Sequence, residues 1–143
     1  ARIFNYYGLH MYCEDGRVVS NFIVNAILNR ELYIYGDGQK TRSFCYIDDL
    51  ISGINILSNC DTDLEKPLNI GNNKEFTILE LAKMIIDLTK SKSKIIFKDP
   101  LSDDPVKRQP DLTLINDFGW KPEVKLEDGL KKTIEYFSKL NLQ

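Results

Sequence analysis

Apolar positions recur with helical spacing in four stretches and fall in short runs elsewhere. Val18, Phe22, Ile23, Ala26 and Ile27 predict an amphipathic helix over residues 17–29, opening just after Gly16. Thr77 and Glu80 stand at capping-box spacing, and Ile78, Leu81, Ile85 and Leu88 give one apolar face to a helix over 78–89. Leu50, Ile51, Ile54 and Leu57 form the core stripe of a helix that Asp48 is placed to cap, and Leu126, Leu130, Ile134 and Phe137 stripe a terminal helix. Residues 111–118 read as a short helix. Strands are expected at residues 1–4, Leu32–Tyr35, 41–46, 68–70 and 95–97, the last of them buried. The turn Gly36-Asp37-Gly38 joins two of these into a hairpin-like unit. Residues 5–16 carry no regular pattern, and an unstructured connection of about a dozen residues is often a binding loop. Residues 99–110 read as a charged, proline-punctuated loop.

Short strands alternating with helices indicate α/β organisation, and 143 residues fall within the size of one domain, so residues 1–143 are read as a single unit. Hydrophobic residues at 43% and charged residues at 28% agree with a folded globular chain. The formal net charge of −2 offers no general attraction for nucleic acid, and any anion must be held by a local cluster. No apolar run reaches the roughly 18 residues that span a bilayer, which points to a cytoplasmic protein. Cys13, Cys45 and Cys60 are odd in number and lack C-x-x-C spacing, so they are read as reduced thiols. The first residue is Ala1, entering directly as a strand-like run, and this suggests a piece of something longer.

Three arginines, Arg17, Arg42 and Arg108, stand beside turn residues, where a planar guanidinium fork matches phosphate or carboxylate oxygens. Taken alone, each of them is better explained as solvated surface charge. Tyr6, Tyr7, Tyr33, Tyr35 and Phe22 offer faces for a nucleobase, although Tyr33 and Tyr35, in an alternating strand, read first as core or edge packing. Asn5, Ser20 and Asn21 supply short hydrogen-bonding groups, the latter two at the opening of a helix whose first amides are unpaired. His10 is the only histidine and gives little support to a Ser-His-Asp arrangement or a histidine-rich metal site. The pairs Asp48-Asp49 and Asp103-Asp104 are better explained as a helix cap and a solvated loop than as a catalytic or magnesium-binding pair. No G-x-G-x-x-G follows a strand and no P-loop is present. The residues by themselves support an anion-binding α/β domain of open chemistry.

A set of motifs, taken in order, adds to this. Ala1-Arg2-Ile3-Phe4-Asn5-Tyr6-Tyr7-Gly8, Asp15-Gly16-Arg17-Val18-Val19-Ser20-Asn21-Phe22, Tyr35-Gly36-Asp37-Gly38-Gln39-Lys40-Thr41-Arg42-Ser43-Phe44, Tyr46-Ile47-Asp48-Asp49-Leu50, Asn69-Ile70-Gly71-Asn72, Asp104-Pro105-Val106-Lys107-Arg108-Gln109-Pro110-Asp111 and Gly119-Trp120-Lys121-Pro122 cover nearly the whole chain. They resemble the C-terminal half of the extended short-chain dehydrogenases that act on nucleotide sugars. The Asp15–Phe22 and Lys107–Asp111 segments most resemble the UDP-glucuronate decarboxylases, also called UDP-xylose synthases. The resemblance implies the last strands of a Rossmann sheet plus a small mixed substrate-binding domain, with the N-terminal Rossmann half missing. It implies NAD as cofactor, a UDP-sugar as substrate and a homodimeric parent, with no nucleic acid and no membrane in this segment. A Golgi anchor could precede it in the parent.

By that resemblance Asn5 contacts the sugar or its phosphate, and Val19, Ser20, Asn21, Phe22 and Ile23 line the UDP-sugar site. Tyr35 borders the uracil, and Arg42 and Arg108 hold the ribose-diphosphate region. Tyr6, Tyr12 and Arg17 fall near the nicotinamide side of NAD. The implied reaction oxidises sugar C4, loses carbon dioxide from the β-keto acid and reduces the product, with Arg108 as the candidate for stabilising the enolate. The family's phosphate loop and Tyr-x-x-x-Lys pair lie upstream, so the isolated chain is expected to be inactive. The family carries Pro-Arg and a small residue where this chain has Leu9-His10 and Tyr6. The rival readings are a dTDP-glucose 4,6-dehydratase or nucleotide-sugar 4-epimerase fragment and, of another class, a non-catalytic nucleotide-binding remnant.

Overall fold

The computed structural model describes residues 1–61, 66–100 and 107–142. Its elements run β1 (Arg2–Ile3), β2 (Tyr6–Tyr7), α1 (Val18–Ile27), β3 (Leu32–Tyr35), β4 (Thr41–Ser43), β5 (Cys45–Tyr46), α2 (Ile47–Ser58), β6 (Asn69–Ile70), β7 (Glu75–Thr77), α3 (Ile78–Thr89), β8 (Ile95–Lys98), β9 (Lys107–Arg108), α4 (Thr113–Asn116) and α5 (Leu126–Ser138).

The strands form three parallel pairs, β1 with β6, β2 with β5 and β3 with β8, and one three-stranded sheet in the order β7-β4-β9. The hairpin expected around Gly36-Asp37-Gly38 is not formed: β3 pairs in parallel with β8, while β4 runs antiparallel to β7 and parallel to β9. Gly36 and Gly38 both adopt left-handed φ values, +80° and +76°, and lead the chain away from β3. The turn is tied instead to the start of α3, where the Leu79 and Ile78 amides donate to the carbonyls of Gly38 and Lys40. The single strand expected over 41–46 breaks at Phe44 into β4 and β5, which lie in different sheets. The supposed loop 5–16 contains β2, because Tyr6 and Tyr7 pair with Cys45 and Tyr46.

One apolar core joins α1, α3 and α5 to β3 and to the aromatic pair Tyr7 and Tyr46. The capping box of α3 is complete: the Glu80 amide donates to Thr77 Oγ1 at 3.0 Å and the Thr77 amide to Glu80 Oε2 at 2.7 Å. A second core gathers Leu50, Leu68, Ile70, Leu112, Ile115 and Trp120. Here α2 departs from expectation. Its N-cap residue is Tyr46, with no side-chain cap, so Asp48 lies within the first turn, where its charge favours the helix's positive end. Ile51 is 49% exposed, and the inward face is formed by Leu50 and Gly53. A Cβ on Gly53 would meet Ile70 Cγ2 at 2.9 Å and the Trp120 ring at 3.2 Å. Trp120 reaches this face by donating Nε1–H to Ser52 Oγ at 2.8 Å, while the buried Asp49 carboxylate accepts the Val124 amide at 3.0 Å. The strand at 95–97 is present, but Ile95 and Ile96 are half-buried and Phe97 is exposed. The helix expected over 111–118 shortens to Thr113–Asn116, because Asp111 accepts from the Thr113 amide and hydroxyl and starts the turn there.

Among the described residues no helix is long and apolar enough to cross a membrane. The three cysteines are unlinked; Cys45 is buried, and burial pushes its thiol up to about 12. A thiol-labelling time course is therefore expected to modify Cys13 and Cys60 in the folded chain and Cys45 only in denaturant. Labelling of all three at one rate in native buffer would contradict this burial.

Candidate functional site

A cleft of about 550 Å3 lies where the start of α1 faces β3, β4, β9 and the first residue of α3. Its lining holds three cations, Lys40, Arg42 and Arg108, and among the described residues no carboxylate. In a chain with net charge −2 this is a local concentration of positive charge suited to a multiply charged anion.

Strand register produces the central feature. Arg42 and Arg108 are directly opposite one another in the parallel β4–β9 pair, and side chains at paired positions leave the same sheet face. Arg42 is only 7% exposed, with Nη1 donating to the Thr41 carbonyl at 2.7 Å, whereas Arg108 is exposed. An anion between the two offsets their mutual repulsion. Ser43 fastens the strands by donating its hydroxyl to the Arg108 carbonyl at 3.3 Å.

Asn5 enters from the other side. It sits at φ +30° between β1 and β2, and its buried Nδ2 has no hydrogen-bond partner among the described residues. An unspent buried donor on a cleft wall is a group that a ligand oxygen would satisfy. Tyr33 and Tyr35 are not core residues: strand alternation buries Leu32 and Ile34 and turns both tyrosines outward to the cleft mouth. The Tyr33 ring is already covered by Lys98 Nζ at 3.7 Å, which leaves Tyr35 as the more open aromatic face.

The structure divides the remaining candidates. Asn21 and Phe22 line the cleft, but Val19, Ser20 and Ile23 are buried on the inner side of α1 and do not. The Asn21 amide is spent on the Arg17 carbonyl at 2.9 Å, so it is not an open helix-end donor. Tyr6 and Arg17 form a separate group beside the cleft, the guanidinium lying 4.3 Å from the ring centre. Tyr12 stands apart, 65% exposed, donating to Glu14 at 3.1 Å. Asp103 and Asp104 lie outside the described residues. Two residues near the site escaped the sequence reading. Lys40 precedes Arg42 by two, the spacing that places side chains on one face of an extended chain, and Asp15 stands two residues before the N-cap position of α1.

Burial alone would raise the Asp15 carboxyl, but hydrogen bonds from Ser20 and Arg17 outweigh it and hold the group below the usual carboxylate range. Bonds from Thr77 do the same for Glu80. A depressed folded-state pKa stabilises the fold above the unfolded value of about 4, and the benefit is lost as pH falls through the lower folded value. The thermal midpoint is thus expected to fall below about pH 4, and Glu80→Gln to remove part of that fall; a midpoint flat down to pH of about 2.5 would contradict both assignments.

The NAD dependent epimerase/dehydratase family model matches residues 1–71. The chain is 47% identical over 140 residues to UDP-glucuronic acid decarboxylase 1 of Danio rerio, covering 97% of this chain and 33% of that protein. It is 44% identical over 138 residues to UDP-glucuronic acid decarboxylase 6 of Arabidopsis thaliana, covering 96% of this chain and 40% of that protein. The chain thus spans about a third of the length of the curated relatives it matches. Among solved structures, UDP-glucose 4-epimerase from Thermotoga maritima with UDP-glucose superimposes with a TM-score of 0.89 at 31% identity, over 96% of this chain and 45% of that one. UDP-glucuronic acid 4-epimerase from Bacillus cereus, in complex with UDP-glucuronic acid and NAD, gives 0.86 at 26% identity, over 94% and 43%. By sequence and by fold, the chain is similar to the NAD dependent epimerase/dehydratase family over residues 1–71 and, over 97% of its length, to the C-terminal part of UDP-glucuronic acid decarboxylases.

Proposed function

We propose that residues 1–143 are the sugar-nucleotide-binding portion of a longer enzyme that converts UDP-glucuronate to UDP-xylose. The carrying observation is the cleft with three cations and no carboxylate among the described residues. UDP-glucuronate brings two phosphates and a sugar carboxylate, an anionic charge that Lys40, Arg42 and Arg108 together match. Arg42 and Arg108 hold the diphosphate, Tyr35 borders the uracil, and Asn5 Nδ2 donates to a sugar or phosphate oxygen. Decarboxylase relatives at 47% and 44% identity support the reaction.

The longer enzyme uses NAD, which when bound supplies reversible hydride acceptance at sugar C4. The donor set here fits one edge of such a cofactor, since Arg17 presents guanidinium N–H groups beside the Tyr6 ring. With C4 as a ketone, the C5 carboxylate is that of a β-keto acid; its C–C bond breaks, carbon dioxide leaves, and the electron pair passes into an enolate. Arg108 faces the cleft with a permanent positive charge and is the residue proposed to stabilise that enolate. The longer enzyme works as a homodimer, and this segment alone is inactive.

The test has two parts. The longer protein, incubated with UDP-glucuronate and NAD, is expected to release carbon dioxide and UDP-xylose. Release of the 4-epimer of UDP-glucuronate without carbon dioxide, or conversion of dTDP-glucose to a 4-keto-6-deoxy sugar, would replace this reading. Titration of the segment itself with UDP is expected to show saturable binding, and no binding would favour a purely structural remnant.

A further inference from the structure

The turn between β2 and α1 holds an ionised group that the binding roles above leave unused. The Asp15 side chain is 15% exposed. Its Oδ1 accepts the Arg17 amide at 3.0 Å and the Ser20 hydroxyl, and its Oδ2 accepts Arg17 Nε–H at 2.5 Å. One carboxylate therefore performs two tasks. Through Oδ1 it closes the start of α1, whose N-cap residue Arg17 provides no side-chain cap. Through Oδ2 it holds the Arg17 guanidinium over Tyr6, where Nη1 donates to the Tyr6 carbonyl and Nη2 to the Tyr6 hydroxyl, both at 3.3 Å.

A guanidinium carries five N–H groups. Three of Arg17's are engaged by Asp15 and Tyr6, and the side chain remains 40% exposed. The two others have no partner among the described residues, and the bonds to Asp15 and Tyr6 fix the plane they share. An arginine that is otherwise free loses its rotamer freedom when it binds a ligand; here that loss occurs on folding. Asp15 also links this wall to the cleft, because the helix whose start it closes carries Val18, Asn21 and Phe22 into the lining.

We infer that Asp15 is a positioning residue for cofactor binding, which sets Arg17 on Tyr6 so that its remaining N–H groups meet an acceptor oxygen of NAD. The inference rests on the reading that Tyr6 and Arg17 border that cofactor.

Asp15→Asn separates the two tasks. The amide keeps an oxygen for the Arg17 amide and Ser20 but turns an NH2 toward Arg17 Nε–H, donor against donor. In this chain, nitrogen–proton spectra are expected to show a slowly exchanging Arg17 Nε–H that Asp15→Asn makes fast, with the α1 amide signals preserved. In the longer protein, Asp15→Asn is expected to weaken NAD binding about tenfold, the size typical of losing a charge-assisted contact, and to leave UDP affinity within about twofold. Collapse of the α1 amide signals in Asp15→Asn would assign the residue to capping alone and overturn the inference. Unchanged NAD affinity in Asp15→Asn, alongside weakened affinity in Arg17→Ala, would overturn it while sparing the reading of Arg17. Unchanged NAD affinity in Arg17→Ala would remove both.

Discussion

Gly129→Ala is expected to lower stability by about 3 kcal/mol, and the thermal midpoint by about 10 °C, although alanine is the better helix former. Gly129 lies in the first turns of α5, where helix propensity alone would favour alanine by about 1 kcal/mol. The added Cβ, however, would stand 2.2 Å from Tyr7 Oη, 2.9 Å from Tyr7 Cζ and 2.8 Å from Tyr46 Cδ2. Both rings are fully buried and packed edge to face at 5.5 Å, so neither can swing into solvent. Tyr7 is also held by the bond it donates to the Leu126 carbonyl at 3.2 Å, at the start of this same helix. Moving the ring breaks that bond and strands a buried hydroxyl, at about 1–3 kcal/mol, in addition to about 1–3 kcal/mol for overpacking. These costs exceed the propensity gain. Calorimetry of Gly129→Ala and of Gly129→Ala with Tyr7→Phe checks the cause: removing the hydroxyl eliminates the closest contact, so the second change should recover part of the loss. A midpoint equal to or above that of the parent chain would mean that α5 rides away from the tyrosine pair without cost.

The sequence disclosed the features whose causes are local. The α3 capping box needs only Thr77 and Glu80 with an apolar face behind them, and it is present as read. The stripes of α1 and α5 were equally readable. What escaped depends on partners far along the chain. β2, β7 and β9 are two or three residues long, and their pairings, Tyr6 with Cys45, Glu75 with Ser43 and Lys107 with Thr41, are set by tertiary packing. The glycines around Asp37 signal a turn, but not that β3 prefers β8 to β4. The same limit acted on α2, where the periodic stripe named Ile51 although the close approach of Trp120 and Ile70 demands Gly53 on the inward face. For the cleft, Arg42 and Arg108 were visible as loop arginines, while their position opposite each other exists only in the β4–β9 register. Asp15 was overlooked because a lone acid in a turn reads as solvated, and its value comes from Ser20 and Arg17 folding over it.

That register sets the size of the last expected effect. Arg42→Ala should weaken UDP binding to this chain about 100-fold, Arg108→Ala about tenfold and Lys40→Ala only a few-fold. Burial sets Arg42 first, and the planar fork of a guanidinium sets Arg108 above Lys40. Arg42 is 7% exposed and its guanidinium is oriented by the Thr41 carbonyl, so its contact with a phosphate forms where water screens weakly. Arg108 is exposed and acts through more solvent but keeps the bidentate fork, whereas the half-buried Lys40 acts as a point charge. The Arg108 effect should therefore shrink most as salt is raised, while the Arg42 effect persists. Arg42→Lys separates charge from geometry: a lysine keeps the positive charge but loses the planar fork, so its binding should remain closer to that of Arg42→Ala than to the parent chain. Calorimetric titration with UDP at two salt concentrations measures all four variants. Full affinity in Arg42→Lys would show that charge alone suffices, and full affinity in Arg42→Ala would remove the diphosphate from this cleft, because no other guanidinium lining it among the described residues is as buried or as firmly aimed.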